Sequence, residues 1–161
     1  KLIKKGFGRV VYGSSAQVYG DNKNYPRNPN ESVSPESIYT QTKLACEKLV
    51  QNLKLSSKVS FLGQVTGINN VVALLDKAHF FILPSLNEGM PRALIEAMAR
   101  GLICFGSNRG GISELLDKDY LFSVGDYKQI ANKLTWLIKN NSTRELDEIS
   151  QRNKEVTRTK T

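Results

Sequence analysis

Two glutamates, Glu88 and Glu96, bracket a point in the sequence suited to an anionic, hydroxyl-rich ligand. The run FFIL, residues 80–83, reads as a buried strand closed by Pro84 and Ser85. Pro91 then opens a helix, where its missing N–H would have had no intrahelical partner at the first helical position. A strand, a short turn and a helix start in a row is where parallel α/β sheets collect ligands, because free N–H groups and the helix dipole favour an anion such as a phosphate. Glu88 falls in the turn, and Glu96 lies roughly 8 Å down the helix from Pro91 at about 1.5 Å rise per residue. A carboxylate only accepts hydrogen bonds, so each could take a pair of hydroxyl protons, one from each of two sugar rings. A plainer reading stands beside this: Arg92 and Glu96 are four apart on one helix and can pair at the surface without a ligand.

A second constellation lies nearer the N-terminus. Tyr39 and Lys43 are four apart, hence on one face of a helix. A phenol can act as general acid or base near neutral pH if an ammonium favours the phenolate, and Lys43 supplies that charge. A serine hydroxyl could orient the substrate.

The elements that must position these groups alternate along the chain. Residues 9–13, RVVYG, read as a buried strand, and residues 16–37 form a long loop rich in Pro, Gly and Asn. A helix begins near Ser37. After the polar stretch LKLSSK the spacing predicts strand 59–62, helix 69–77, strand 80–83, helix 91–100, strand 102–106, helix 111–116, strand 121–124 and helix 127–139. Strands separated by helical stretches of this length imply parallel βαβ connections. The predicted fold is therefore α/β, a Rossmann-like parallel sheet of about five strands flanked by helices, with a long loop after the first strand. Gly110 and Gly111 permit a tight turn ahead of Ile112, and residues from 141 onward read as a polar tail, a frayed helix or a disordered end.

Composition bounds the alternatives. The 161 residues suffice for one domain with a real core, and 40% hydrophobic with 24% charged residues is ordinary for a soluble protein. No apolar run nears the roughly 20 residues that span a bilayer, and KLIKKGFGR is too basic for a secretory signal, so a cytoplasmic location is expected, with peripheral membrane contact left open. The net charge of +8 favours acidic partners such as nucleotide diphosphates or anionic headgroups. The basic residues are scattered without aromatic interleaving, which argues against nucleic acid. Cys46 and Cys104 are far apart and read as buried reduced thiols, with no metal site, and His79, the only histidine, as structural.

NEGMPRALIEAMARG, with FFILPS before it and GGISELL after it, resembles the donor-binding half of retaining GT-B glycosyltransferases of group 1, over residues 58–140. The resemblance implies that Glu88 contacts the donor sugar and Glu96 the nucleotide ribose. It places the backbone of Gly89, Met90 and Pro91 near the diphosphate, and the Gly110–Gly111 loop beside the donor. The substrate is a nucleotide-sugar serving surface-polysaccharide synthesis, and no cofactor is implied. Ile103 stands where the family usually has proline.

SSAQVYG together with SPESIYTQTKLACEKL resembles extended short-chain dehydrogenases, the NAD-dependent sugar-nucleotide epimerases and dehydratases, over residues 1–53. On that resemblance Ser15 polarises the substrate, Tyr39 is the acid/base, and Lys43 tunes it and binds the cofactor ribose. The Gly-rich phosphate loop that would seat NAD is absent from the sequence. The expectation is thus a chain of two pieces, 1–53 and 54–140, followed by the polar tail 141–161. The pieces can share one sheet, with active sites that depend on a missing-domain subunit or are inactive in isolation, as in a non-catalytic nucleotide-sugar binding remnant.

Overall fold

The structure, a computed structural model, describes residues 10–12, 59–60, 62–63, 65–86 and 88–160. The chain divides into two compact units, one made of Lys1–Gly13 with Val72–Thr161, the other of Ser14–Val71.

In the first unit four strands make a parallel sheet in the order β1-β2-β3-β4: β1 Val10–Tyr12, β2 Phe80–Leu83, β3 Ile103–Ser107 and β4 Leu121–Phe122. The register sets Val10 beside Phe80, Phe80 beside Ile103 and Gly106 beside Leu121. Strand order follows chain order, and in the two connections that are fully described, β2 to β3 and β3 to β4, helices carry the crossovers. Among the described residues the helices are α1 Ile68–Leu75, α2 Arg92–Ala99, α3 Ile112–Leu115, α4 Tyr127–Asn140 and α5 Thr143–Lys160, of which α1 spans the division between the two units. A 3-10 turn, Lys118–Tyr120, leads into β4.

β2 and β3 are continuous apolar runs because the strands of a parallel sheet are covered on both faces. Phe80, Ile103, Phe105, Phe122, Leu137 and Leu146 form a buried cluster, with Ile130, Leu134 and Ile138 of α4 packed against it. These α4 positions repeat at three and four, which builds the stripe that meets the sheet. Trp136 lies off that stripe and is exposed. On α2, Leu94, Ala97 and Met98 face inward, Arg100 caps the helix end, and the next residue, Gly101, takes a φ of +79° that suits glycine.

Residues from 141 onward, expected as a frayed helix or a disordered end, instead form α5. A reciprocal cap starts it: the Ser142 N–H and hydroxyl donate to Glu145 Oε2 at 2.6 and 2.8 Å, and the Glu145 N–H returns to the Ser142 hydroxyl at 3.3 Å. Those bonds hold the Glu145 carboxyl below the usual carboxylate range. The buried stripe of α5 mixes apolar with small polar residues: Leu146, Ser150 and Thr157 are buried, and Ile149 and Asn153 are partly so. Two of the polar members bond to the segment that follows α2, and Thr157 bonds back to the Lys154 carbonyl of its own helix at 2.8 Å. Ser150 donates to the Gly101 carbonyl at 2.6 Å and Asn153 to the Leu102 carbonyl at 2.7 Å. Arg152 pairs with Asp117 at 2.6 Å.

In the second unit the strand expected at 59–62 does not form: Val59, Ser60 and Leu62 lie outside any strand. Leu62 is exposed, and Gly63, at φ +64°, interrupts extended backbone. The entry to α1 is fixed by Gly67, whose carbonyl accepts from the Asn70 and Val71 N–H groups at 3.1 and 3.2 Å. Among the described residues no helix is long and apolar enough to cross a membrane.

Candidate functional site

Three strand-to-helix connections open at the C-terminal edge of the sheet: 84–91 after β2, 108–111 after β3 and 123–126 after β4. The first two interlock. The Gly111 N–H donates to the Glu88 carbonyl at 3.1 Å. A Cβ on Gly110 would stand 2.0 Å from the Glu88 carbonyl oxygen, and one on Gly111 2.0 Å from that of Gly89. Such distances are forbidden, so the glycine pair is demanded by the approach of one backbone to the other. Gly110 also adopts φ +49°. Ser113 donates to the Gly110 carbonyl at 2.8 Å and ties the loop to the start of α3.

Glu88 is half-buried and fixed by a relay that the sequence reading passed over. The Ser85 hydroxyl donates to Glu88 Oε1 at 2.7 Å, and the Ser107 hydroxyl donates to the Ser85 carbonyl at 2.5 Å. Both serines are fully buried. The only signal for them in the sequence is a small hydroxyl residue at the end of each of two successive strands, FILPS and CFGS.

Pro91 is the residue before α2 rather than its first helical residue, with φ −80° and ψ 80°. Its carbonyl accepts from the Leu94 and Ile95 N–H groups at 2.9 and 3.1 Å, and the Arg92 N–H turns back onto the Met90 carbonyl at 2.9 Å. This tight turn delays the helix by one residue. It also consumes one donor, the Arg92 N–H, that the helix start would otherwise offer to an anion. Gly89 and Met90 are exposed beside it.

Glu96 lies on the exposed side of α2. Among the described residues no hydrogen bond or ion pair engages its side chain or that of Arg92, so the surface pair that would have given Glu96 a purely structural role is absent. Arg109, in the loop that carries the glycine pair, is likewise an exposed cation that the sequence reading passed over.

Ser15, Tyr39, Lys43 and Cys46 lie outside the described residues. His79 immediately precedes β2, at the opposite end of that strand from Glu88. Cys104 is a buried free thiol whose burial pushes its pKa up, and it donates weakly to the Leu102 carbonyl at 3.4 Å. It is therefore an inert packing residue. Among the described residues no group of three or more His, Cys, Asp or Glu side chains could hold a metal ion.

Comparison with known proteins agrees with this architecture. Residues 2–67 match the model of the NAD dependent epimerase/dehydratase family. The chain is 38% identical over 96 residues to N-acetyl-alpha-D-glucosaminyl L-malate synthase of Bacillus anthracis, covering 58% of this chain and 24% of that protein. It is 34% identical over 86 residues to the UDP-Gal:alpha-D-GlcNAc-diphosphoundecaprenol alpha-1,3-galactosyltransferase of Escherichia coli, covering 52% and 21%. The chain thus spans about a quarter of the length of the curated relatives it matches. Among solved structures, Anabaena HepE in complex with UDP-glucose superposes with a TM-score of 0.64 at 21% identity, over 74% of this chain and 33% of that one. The C-terminal domain of a group 1 glycosyl transferase, LpcC of Francisella tularensis, superposes with a TM-score of 0.64 at 24% identity, over 79% and 65%. The model of glycosyl transferases group 1 matches residues 40–156, most of the sequence, and the chain belongs to that family.

Proposed function

We propose that this chain is the donor-binding half of a retaining GT-B glycosyltransferase and holds a nucleotide-sugar between the 84–91 loop, the 108–111 loop and the start of α2. Glu88 takes the sugar hydroxyls and Glu96 the ribose hydroxyls. The backbone of Gly89, Met90, Pro91, Gly110 and Gly111 follows the diphosphate, and Arg109 is placed to add a positive charge. The observation that carries the reading is the interlock of the two loops at the C-terminal sheet edge, which holds Glu88 in place while Glu96, on the adjoining helix, is exposed and has no partner among the described residues. The relatives named above lend support: one uses UDP-Gal, and HepE was solved with UDP-glucose. Transfer then needs an acceptor-binding domain, carried by a partner subunit or by chain outside this sequence. The setting is polysaccharide synthesis, a reading supported by the similarity to a putative colanic acid biosynthesis glycosyltransferase, WcaL of Escherichia coli.

The test is ligand-dependent melting. Millimolar UDP-glucose, UDP-N-acetylglucosamine or GDP-mannose is expected to raise Tm by about 5 °C for the accepted donor. Glu96→Ala should abolish the shift and leave the ligand-free Tm unchanged, because the side chain is exposed and unpaired. A flat response to every nucleotide-sugar at millimolar concentration rejects donor binding.

The match of residues 2–67 to the epimerase/dehydratase model favours a second reading, in which Ser15, Tyr39 and Lys43 are retained from an NAD-dependent sugar-nucleotide enzyme joined to the donor half near residue 53. That reading expects NAD to change the intrinsic fluorescence. An unresponsive NAD titration removes it and leaves the donor-binding reading intact.

A further inference from the structure

We infer that Ser85 is a positioning residue for sugar recognition and that Ser107 sets it in place, so that Glu88 meets a sugar hydroxyl mainly through Oε2. This rests on the reading of Glu88 as the sugar ligand. A glutamate in a loop has side-chain torsions to freeze when a ligand arrives, and freezing them weakens binding. Here they are constrained beforehand. The Ser85 hydroxyl holds Oε1 at 2.7 Å, and a hydrogen bond to a carboxylate is stronger than a neutral one. At the other end of the residue, the Gly111 N–H holds the Glu88 carbonyl at 3.1 Å.

Ser107 completes the arrangement from the neighbouring strand. Its hydroxyl donates to the Ser85 carbonyl at 2.5 Å, so the ends of β2 and β3 are joined by a side chain at the level of the loop. Both serines are sealed from solvent. A buried hydroxyl with no acceptor is penalised, so each proton is committed to the partner it has. Among the described residues nothing donates to Oε2 of Glu88, and Oε1 keeps one lone pair beside the Ser85 bond. Such a group accepts from sugar hydroxyls and repels phosphate. The nucleotide is bound elsewhere in the proposed site, so removing the Ser85 hydroxyl should be felt by the sugar alone.

The experiment is calorimetric titration of the full chain with UDP-glucose, UDP-galactose and UDP-N-acetylglucosamine, each against UDP, and of GDP-mannose against GDP. For the donor that binds, Ser85→Ala should lower the affinity ratio of nucleotide-sugar to nucleotide about tenfold, with nucleotide affinity held within about twofold. Ser107→Ala should act in the same direction, and Ser85→Ala should add nothing in a Glu88→Ala background. A purely structural role would weaken nucleotide and nucleotide-sugar together. If Glu88→Ala lowers the ratio and Ser85→Ala leaves it unchanged, the positioning role is overturned and the donor site stands. If Glu88→Ala leaves it unchanged, or no nucleotide-sugar binds, both fall.

Discussion

Gly111→Ala is expected to destabilise the protein by about 2–3 kcal/mol and to eliminate the nucleotide-sugar melting shift in the same step. The new Cβ would stand 2.0 Å from the Gly89 carbonyl oxygen and 3.2 Å from Pro91 Cδ. The first of these is backbone and cannot rotate away, so one loop must leave the other. The backbone φ of Gly111 is −62°, which alanine adopts freely, so the penalty is steric alone. Separation breaks the bond from the Gly111 N–H to the Glu88 carbonyl and releases the residue that the proposed site depends on. Gly89→Ala is the control, since its Cβ would meet nothing within 4 Å. Urea unfolding of the two variants separates the cases: equal stabilities would mean that the loops are not in contact.

Phe105→Ala is expected to cost about 3–5 kcal/mol, a large share of the roughly 5–15 kcal/mol that an ordinary domain possesses. Phe105 is 1% exposed on β3, with β2 on one side and β4 on the other. Its ring meets Tyr120 edge to face at a centroid distance of 5.6 Å. Truncation leaves a cavity that strands on both sides prevent from closing. Trp136→Ala removes a larger ring that is 62% exposed, and its unfolding midpoint should stay near the parent value. Denaturant midpoints of the two variants therefore report burial rather than aromatic size, and a Phe105 variant as stable as the Trp136 variant would contradict the core described here.

What could be read from the sequence was what a repeating apolar pattern encodes. FFIL and ICFGS are runs that only a covered parallel strand explains, and Ile130, Leu134, Leu137 and Ile138 mark the inner face of α4, so those elements were legible nearly to the residue. α5 was not. Its inner face depends on Ser150, Asn153 and Thr157, and the first two are satisfied by carbonyls about fifty residues away, which no local hydropathy registers. Its start was nevertheless written in the sequence, in the Ser142 to Glu145 spacing of a capping box. The strand expected at 59–62 went the other way: a short alternating run looked extended, while Gly63, at φ +64°, breaks the extended backbone directly after it.

The candidate site divides similarly. Glu88, Glu96 and the glycine pair stand out by type and spacing. The reason for the glycine pair, two backbones within 2.0 Å of an added Cβ, is a tertiary fact. So is the serine relay behind Glu88, because a buried serine at a strand end looks like any other until its acceptor is known. Pro91 shows a subtler limit. Its chemistry marks a helix start, but the turn of the Arg92 N–H onto Met90 decides which residue is first.

The most direct test is a crystal structure of the chain with the UDP- or GDP-sugar that raises its Tm. The account predicts the nucleotide-sugar at the C-terminal edge of the sheet, against the 84–91 and 108–111 loops, with Glu96 Oε atoms within hydrogen-bond distance of the ribose hydroxyls and Glu88 Oε2 on a sugar hydroxyl. A nucleotide-sugar bound at any other surface, with both carboxylates turned to solvent, would contradict it.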